Sequence, residues 1–275
     1  VLAGKDIIWS VYGLLAITLV RWVWLIILLR RYSKPEISVK FMKEHLYLGW
    51  PLIITSLISG SAQYVDGVII SSVYRDPALF AWFRYGAKEF PLVLLLANGL
   101  SNAMLPEFSV RAKMRESLAK LKLRSEKLMH ILFPVTMVIM FFTRWFYPRL
   151  FAPEFHRSAG VFLVYALLII PRLVFPQTIV IGRRKTQITM IAAVIELGLN
   201  IPLSLLMIKW GYGIVGVALA TFIVYCVSKI YLAAYLWVKL KIKPSEYIPL
   251  KAFLVYSLLT TVVFLLVDRR IIDIQ

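Results

Sequence analysis

QITMIAAVIELGLNIPLSLLMIKWGYGIVGVALATFIVYCVSKIYLAAYLWV, residues 187–238, decides the fold class. It holds two apolar runs, 187–208 and 213–238, with a short KWGY turn between them. A helix rises about 1.5 Å per residue, so about 20 apolar residues cross the roughly 30 Å hydrocarbon core of a bilayer. Both runs are long enough. Strand edges would leave backbone donors and acceptors unsatisfied in lipid, so the runs are expected as helices.

Working outward, the same reading finds six more stretches of this kind, at about 7–29, 46–73, 80–105, 128–147, 159–181 and 249–268. The expected fold is therefore an all-α polytopic membrane protein with eight transmembrane helices. Composition agrees. Hydrophobic residues make up 60% of the 275 and charged residues 17%, with a mean hydropathy of +0.79. Soluble domains carry about 45–50% apolar and about 25% charged residues, too little apolar surface to need lipid as solvent.

A net charge of +18 invites a nucleic-acid reading. Its distribution argues against one, because the cations cluster between the apolar runs, where membrane topology signals lie. The connections 30–45, 110–127, 182–186 and 239–251 carry nineteen Lys and Arg, including Arg30, Arg31, Lys34, Arg183, Arg184 and Lys185; the opposite connections and the termini carry eight. The positive connections are expected in the cytoplasm and both chain ends outside, in a multi-pass cytoplasmic (inner) membrane protein with membrane lipids as its solvent. The segment 110–127 has helical spacing, with Met114, Leu118, Leu121 and Leu128 on one side. It reads as a cytoplasmic helix resting on anionic headgroups or, less simply, docking a partner.

Catalytic patterns are missing. His45, His130 and His156 are scattered, Cys226 is the single cysteine, and no HExxH, GxSxG, CxxC or P-loop pattern occurs. No catalytic residue, metal site or cofactor is expected, and the chain reads as a non-enzyme.

Eight ionisable residues away from the span ends stand out: the cations Arg21, Arg84, Lys88, Arg172 and Lys229, and the acids Asp66, Glu89 and Glu196. Charges in lipid cost about 2.5–3.5 kcal/mol each on insertion scales, so each is a functional candidate. Arg84 and Lys88 lie one turn apart on one helix face, and Asp66 on the preceding span reaches a similar depth. Asp66 is thus expected to pair with Arg84 or Lys88, and Glu89 to serve another neighbour. Arg172, Glu196 and Lys229 lie about nine or ten residues from the positive ends of three consecutive spans, near the bilayer centre, with Arg21 at a similar level. Four groups at one level suggest a shared polar cavity, in which Lys88 and Arg172 are the foremost candidates to meet an anionic ligand. Other readings stay open: Arg172 with Glu196 as a buried structural pair, and Arg84 snorkelling to headgroups. The PRLVFP stretch, 171–176, brackets Arg172 with two prolines and is expected either to unwind, exposing carbonyls to a cavity, or simply to kink. Gly213, Gly216, Ala218 and Ala220 offer a small-residue surface for close helix packing.

Three stretches together resemble one family. WPLIITSLISGSAQYVDGVIISSVY (50–74) has a proline, a small-residue stretch and an aspartate before a short turn; LSNAMLPEFS (100–109) closes a small-residue run with proline and serine. ELGLNIPLSLLMIKWGYGIVGVALATFI (196–223) carries an asparagine in an apolar helix, a short turn and a G-x-x-G-x-A-x-A-T opening. In order and spacing these resemble the polysaccharide-export branch (O-antigen, oligosaccharidyl-lipid) of the multidrug/oligosaccharidyl-lipid/polysaccharide flippase superfamily. The resemblance implies a six-helix flippase lobe at 36–240, with 1–35 as the last helix of a truncated amino-terminal lobe and 241–275 as an additional transmembrane helix. It implies transport of a polyprenyl-pyrophosphate-linked oligosaccharide from inner to outer leaflet for cell-surface polysaccharide biosynthesis. Its partners would be that anionic lipid and polysaccharide polymerase or ligase proteins. Arg21, Arg84, Lys88, Arg172 and Lys229 would then be substrate-binding candidates, and Asp66, Glu89 and Glu196 coupling or ion-pair candidates. Flippases of the peptidoglycan precursor share the preference for a pyrophosphate and are not separated by these residues. A cation-coupled multidrug exporter of the same superfamily is the nearest rival. It would want acidic cavity residues, whereas these buried groups are net cationic. A membrane-embedded glycan-assembly enzyme would want catalytic acids or histidines clustered near one interface.

Overall fold

The computed structural model describes residues 7–32, 38–109 and 113–268, and all side chains among them except those of 7 and 59–63. Lys34 and Arg111, which contribute to the positive connections, and both chain ends lie outside the described residues. Among the described residues the chain is all helix and turn, without a strand. It divides into two units, Val1–Leu46 and Tyr47–Gln275.

The first unit contains α1 (Ile7–Tyr32), apolar all round and exposed along residues 8–32, as a lipid-facing helix must be. Arg30 and Arg31 in its last turn complement the helix dipole.

Six described helical segments are long and apolar enough to cross a membrane: Ile8–Tyr32, Met114–Leu150, Pro153–Arg172, Thr186–Lys209, Gly213–Leu240 and Leu250–Asp268. They overlap six of the eight expected spans. The other two differ. Residues 46–73 lie in α2 (Val39–Tyr74), in which 64–74 form a shorter apolar stretch. Residues 80–105 are not one helix but two, α3 (Pro77–Gly86) and α4 (Pro91–Met104). The interruption has local causes. Pro91 opens α4, where a missing N–H costs nothing, and it holds Phe90 extended (φ −62°, ψ 117°). Gly86 ends α3 where a Cβ would stand 2.5 Å from the Ser158 carbonyl, so only glycine admits the close approach.

A second interrupted helix runs through the middle of the second unit as α6 (His156–Ala166), α7 (Ile169–Arg172) and α8 (Pro176–Gly182). Residues 161–169 are buried without exception, and α6 packs against α3, α10 (Gly213–Leu240) and α12 (Leu250–Asp268) as well as α5 (Met114–Leu150). Of the two readings left open at PRLVFP, a kink or an unwound stretch, the structure has the unwound stretch, at Leu173–Phe175: Pro176 starts α8 and disfavours helix at the residue before it.

Helix α9 (Thr186–Lys209) and α10 pack as a hairpin whose turn includes Gly211 at φ +88°, a left-handed value natural to glycine. Lipid gives no hydrophobic driving force for helix association, so contact area and small residues do the work. At Gly216 a Cβ would stand 2.6 Å from the Tyr212 Cβ, and Val217 and Ala220 are fully buried.

Helix α5 absorbs both the expected span 128–147 and most of the expected surface helix. Its Leu118 and Leu121 are buried, and Met114 and Leu128 pack against the same core, so the apolar side of 114–128 faces the protein rather than headgroups. Lys120 pairs with Glu107 at 3.4 Å and Glu116 at 3.0 Å, and Ser117 Oγ donates to the Glu107 carbonyl. Lys122 Nζ donates to the Ser245 carbonyl (2.8 Å) in α11 (Pro244–Tyr247).

Candidate functional site

An apolar helical unit has no structural need for polar groups at its centre, yet the second unit encloses a polar cavity of about 530 Å³. Helices α2, α4, α7, α9 and α10 and the α3–α4 interruption all contribute side chains to it. Five ionisable residues with charged side chains line it: Asp66, Glu89, Glu196, Arg172 and Lys229.

Asp66 sits 1% exposed on α2. Its Oδ2 accepts from Thr221 Oγ1 on α10 (2.7 Å) and from the Tyr165 hydroxyl on α6 (3.2 Å). Thr221 in turn accepts from Asn200 Nδ2 on α9 (3.0 Å). Four helices therefore meet at one carboxylate. The cluster is only half satisfied, since Asp66 Oδ1, Asn200 Oδ1 and, one turn along α9, Ser204 Oγ are buried without a hydrogen-bond partner among the described residues. Buried oxygens left so cost free energy, about 1–3 kcal/mol each.

The second cluster joins the two interrupted helices. Arg172, the last residue of α7, donates from Nε and Nη2 to Glu89 in the α3–α4 interruption at 2.7 and 2.6 Å. The guanidinium also stacks over Tyr225 (4.7 Å to the ring centroid), and Lys229 Nζ lies 5.1 Å from that centroid. Lys229 donates weakly to Gln177 Oε1 at 3.4 Å. Planar bidentate pairing and stacking are properties of arginine that a lysine would not reproduce.

These positions depart from the sequence expectations in three respects. Asp66 is held by hydroxyls and not by Arg84 or Lys88. Arg84 lies over Tyr64 (5.3 Å) beside a separate aromatic pocket of about 190 Å³. Lys88 is exposed and does not line the cavity. The partner of Arg172 is Glu89 and not Glu196. The interruption explains the positions of Lys88 and Glu89, because leaving the helix at Ala87 turns residues 88–90 away from the continuous-helix geometry on which the expectation relied. Arg21 belongs to the first unit, where it is exposed on α1. The charge balance also changes. Of the seven candidates in the second unit five line the cavity, three carboxylates against two cations, so by formal count the lining has one acid in excess.

Tyr165, Gln177, Thr221 and Tyr225 were not singled out from sequence. They sit in apolar runs where a hydroxyl or amide looks incidental. Asn98, Ser101 and Asn102 on α4 gave a usable signal, being polar neighbours one turn apart in LANGLSNAM. No group of three or more His, Cys, Asp or Glu that could hold a metal ion occurs among the described residues.

Interrupted helices around a polar cavity in an apolar unit are the features from which membrane transporters build their binding sites. The chain is similar to a structure described as lipid II flippase MurJ in an inward closed conformation (TM-score 0.62, 21% identity, 88% of this chain and 52% of that one). It is also similar to a multidrug/oligosaccharidyl-lipid/polysaccharide (MOP) superfamily transporter from Pyrococcus furiosus described as having a binding pocket of reverse polarity (0.56, 22%, 80% and 52%). A third is an outward-facing multidrug resistance MATE family transporter (0.56, 24%, 80% and 52%). The chain spans about half the length of these proteins. It belongs to the lipid II flippase MurJ family, whose family model matches residues 1–272. No curated protein matches it. The superfamily expected from sequence thus stands, while the family match is to lipid II flippases and not to the polysaccharide-export branch. A flippase family is one of transporters.

Proposed function

We propose that this chain forms one lobe of a flippase that carries a polyprenyl-pyrophosphate-linked saccharide from the inner to the outer leaflet of the cytoplasmic membrane. Lipid II is the substrate that the family's name carries. The observation that bears the reading is the family match over residues 1–272. The export-polysaccharide precursor expected from the sequence belongs to the same chemical class of carrier, and family membership moves the choice to lipid II. Net charge no longer favours an anionic substrate on its own, because the cavity lining carries more carboxylates than cations.

Those carboxylates support cation coupling. Asp66 Oδ1, Asn200 Oδ1 and Ser204 Oγ are unpaired oxygens of the kind that hard cations take as ligands; a monovalent cation at Asp66 would draw on such oxygens, whereas a proton would serve the carboxylate alone. Glu196 is a second coupling candidate from the same lining. Residues 36–240 form the six-helix lobe in this reading, flanked by 1–35 and 241–275. The four positive connections face the cytoplasm. The partners are the lipid-linked saccharide, membrane lipids and the polymerase or ligase proteins that use the flipped saccharide.

The test uses the full-length protein in cells depleted of their own lipid II flippase. Restored growth with lipid II accessible in the outer leaflet supports the reading. Lipid II trapped in the inner leaflet, with the protein present in the membrane, sinks it; rescue of a surface polysaccharide instead returns the choice to the export precursor.

A further inference from the structure

Beside the main cavity, a side pocket of about 50 Å³ opens at the break between α7 and α8. Its polar lining is Asn98, Ser101, Arg172, Gln177, Thr178 and Lys229. Both cations of the central cluster face it, and none of the three cavity carboxylates lines it. The chemistry of this small space is therefore opposite to that of the larger one. It has room for about three or four water-sized groups, the scale of one tetrahedral phosphoryl group.

Both cations have donors to give. Glu89 takes Nε and Nη2 of Arg172, leaving Nη1 of the fork. Lys229 carries three ammonium hydrogens, and among the described residues it makes one long hydrogen bond, to Gln177. A phosphate oxyanion accepts the same planar fork that a carboxylate accepts. The end-on face of that guanidinium, Nη1 with the second hydrogen of Nη2, stays open to a phosphoryl group, which then competes with Glu89 for the same positive charge.

We propose that this side pocket is a phosphate-oxyanion site, and that an oxyanion bound between Arg172 and Lys229 weakens the hold of Arg172 on Glu89 and so loosens residues 87–90, which join α3 to α4. The flippase reading supplies only the natural ligand, a diphosphate on a lipid carrier; the site itself is testable without transport. A phospholipid headgroup offers the same chemistry.

Inorganic pyrophosphate is titrated calorimetrically into the full-length protein in phosphatidylcholine nanodiscs. Glu89→Gln keeps the shape of the Arg172 partner and removes its charge, so it should tighten binding about tenfold, the equivalent of about 1.4 kcal/mol. Lys229→Gln should weaken binding at least about tenfold. Thermal unfolding checks that both variants fold, and Lys229→Arg replaces Lys229→Gln if that variant does not, with binding expected to persist. A Glu89 that is merely structural would give a less stable variant with unchanged affinity, and that result overturns the proposal. So does wild-type affinity in Lys229→Gln, or absence of binding in both wild type and Glu89→Gln. Repeating the titration in phosphatidylglycerol nanodiscs identifies the source. Competition by the phospholipid assigns the site to headgroups, and an unchanged affinity assigns it to the carried diphosphate; either supports the site. Failure here leaves the flippase reading to its own cellular test.

Discussion

Arg172 and Glu89 share two hydrogen bonds of 2.6 and 2.7 Å, and each residue stands at an interruption in its own helix. Their side chains retain 23% and 19% exposure, so the pair sits at a cavity wall and not in dry core.

Removing one partner should cost more than removing both. Glu89→Ala leaves a largely desolvated guanidinium and should destabilise by about 3 kcal/mol, whereas the double variant Arg172→Met with Glu89→Leu should lose clearly less. Thermal unfolding midpoints in detergent decide it. Equal losses would mean that the pair is solvated well enough for its charges not to matter.

Asp66→Asn should abolish a response to monovalent cations. If a cation satisfies the unpaired oxygens, exchanging choline for sodium raises the wild-type unfolding midpoint through ligand linkage. The variant's midpoint should not move. A wild type indifferent to sodium, potassium and lithium would confine Asp66 to proton binding or to structure.

Gly86→Ala should weaken the contact between α3 and α6, since the new Cβ would meet the Ser158 carbonyl at 2.5 Å and Val161 at 2.7 Å. Backbone cannot yield as a side chain does, and overpacking of this kind costs about 1–3 kcal/mol. Gly99→Ala, with nothing within 4 Å of its Cβ, is the control whose midpoint should not fall and, inside a helix, should rise slightly.

Tyr256→Phe removes the 2.8 Å hydrogen bond to His130 Nδ1 but keeps the 5.4 Å stack on Phe133, so it should cost about 0.6 kcal/mol. Tyr256→Ala loses both and should cost several times more, read from the same unfolding curves. Similar losses for the two would show that the stack contributes little to the docking of α12 on α5.

Much of this architecture is legible in the sequence because lipid imposes strong rules. Long apolar runs and the backbone's need for internal partners made helices the expected form throughout, and paired prolines marked the break after Arg172. The α3–α4 interruption was hidden. Pro91 alone reads as a kink, and the reason for Gly86 is Ser158, a residue far along the chain. That miss propagated to the site. Depth counted along a continuous helix placed Lys88 inward and matched Asp66 with the wrong cations, whereas Arg172, Glu196 and Lys229, counted along other helices, all line the cavity. Hydroxyl partners such as Tyr165 and Thr221 carry no sequence mark, since only the packing of α6 and α10 against α2 gives them their role.

Helix α5 has a mechanical consequence for the interrupted α3–α4. It is a 37-residue rod, about 55 Å long, and it grips that broken element beside the gap and again past its far end. The Tyr147 hydroxyl donates to the Tyr85 carbonyl just before the gap, while Ser117 and Lys120 hold Glu107 just beyond the far end. The arrangement is that of a braced bow. With Tyr85 and Glu107 pinned to one strut, the stretch between them keeps its span, and a displacement there is taken up as bending at the joint that carries Glu89.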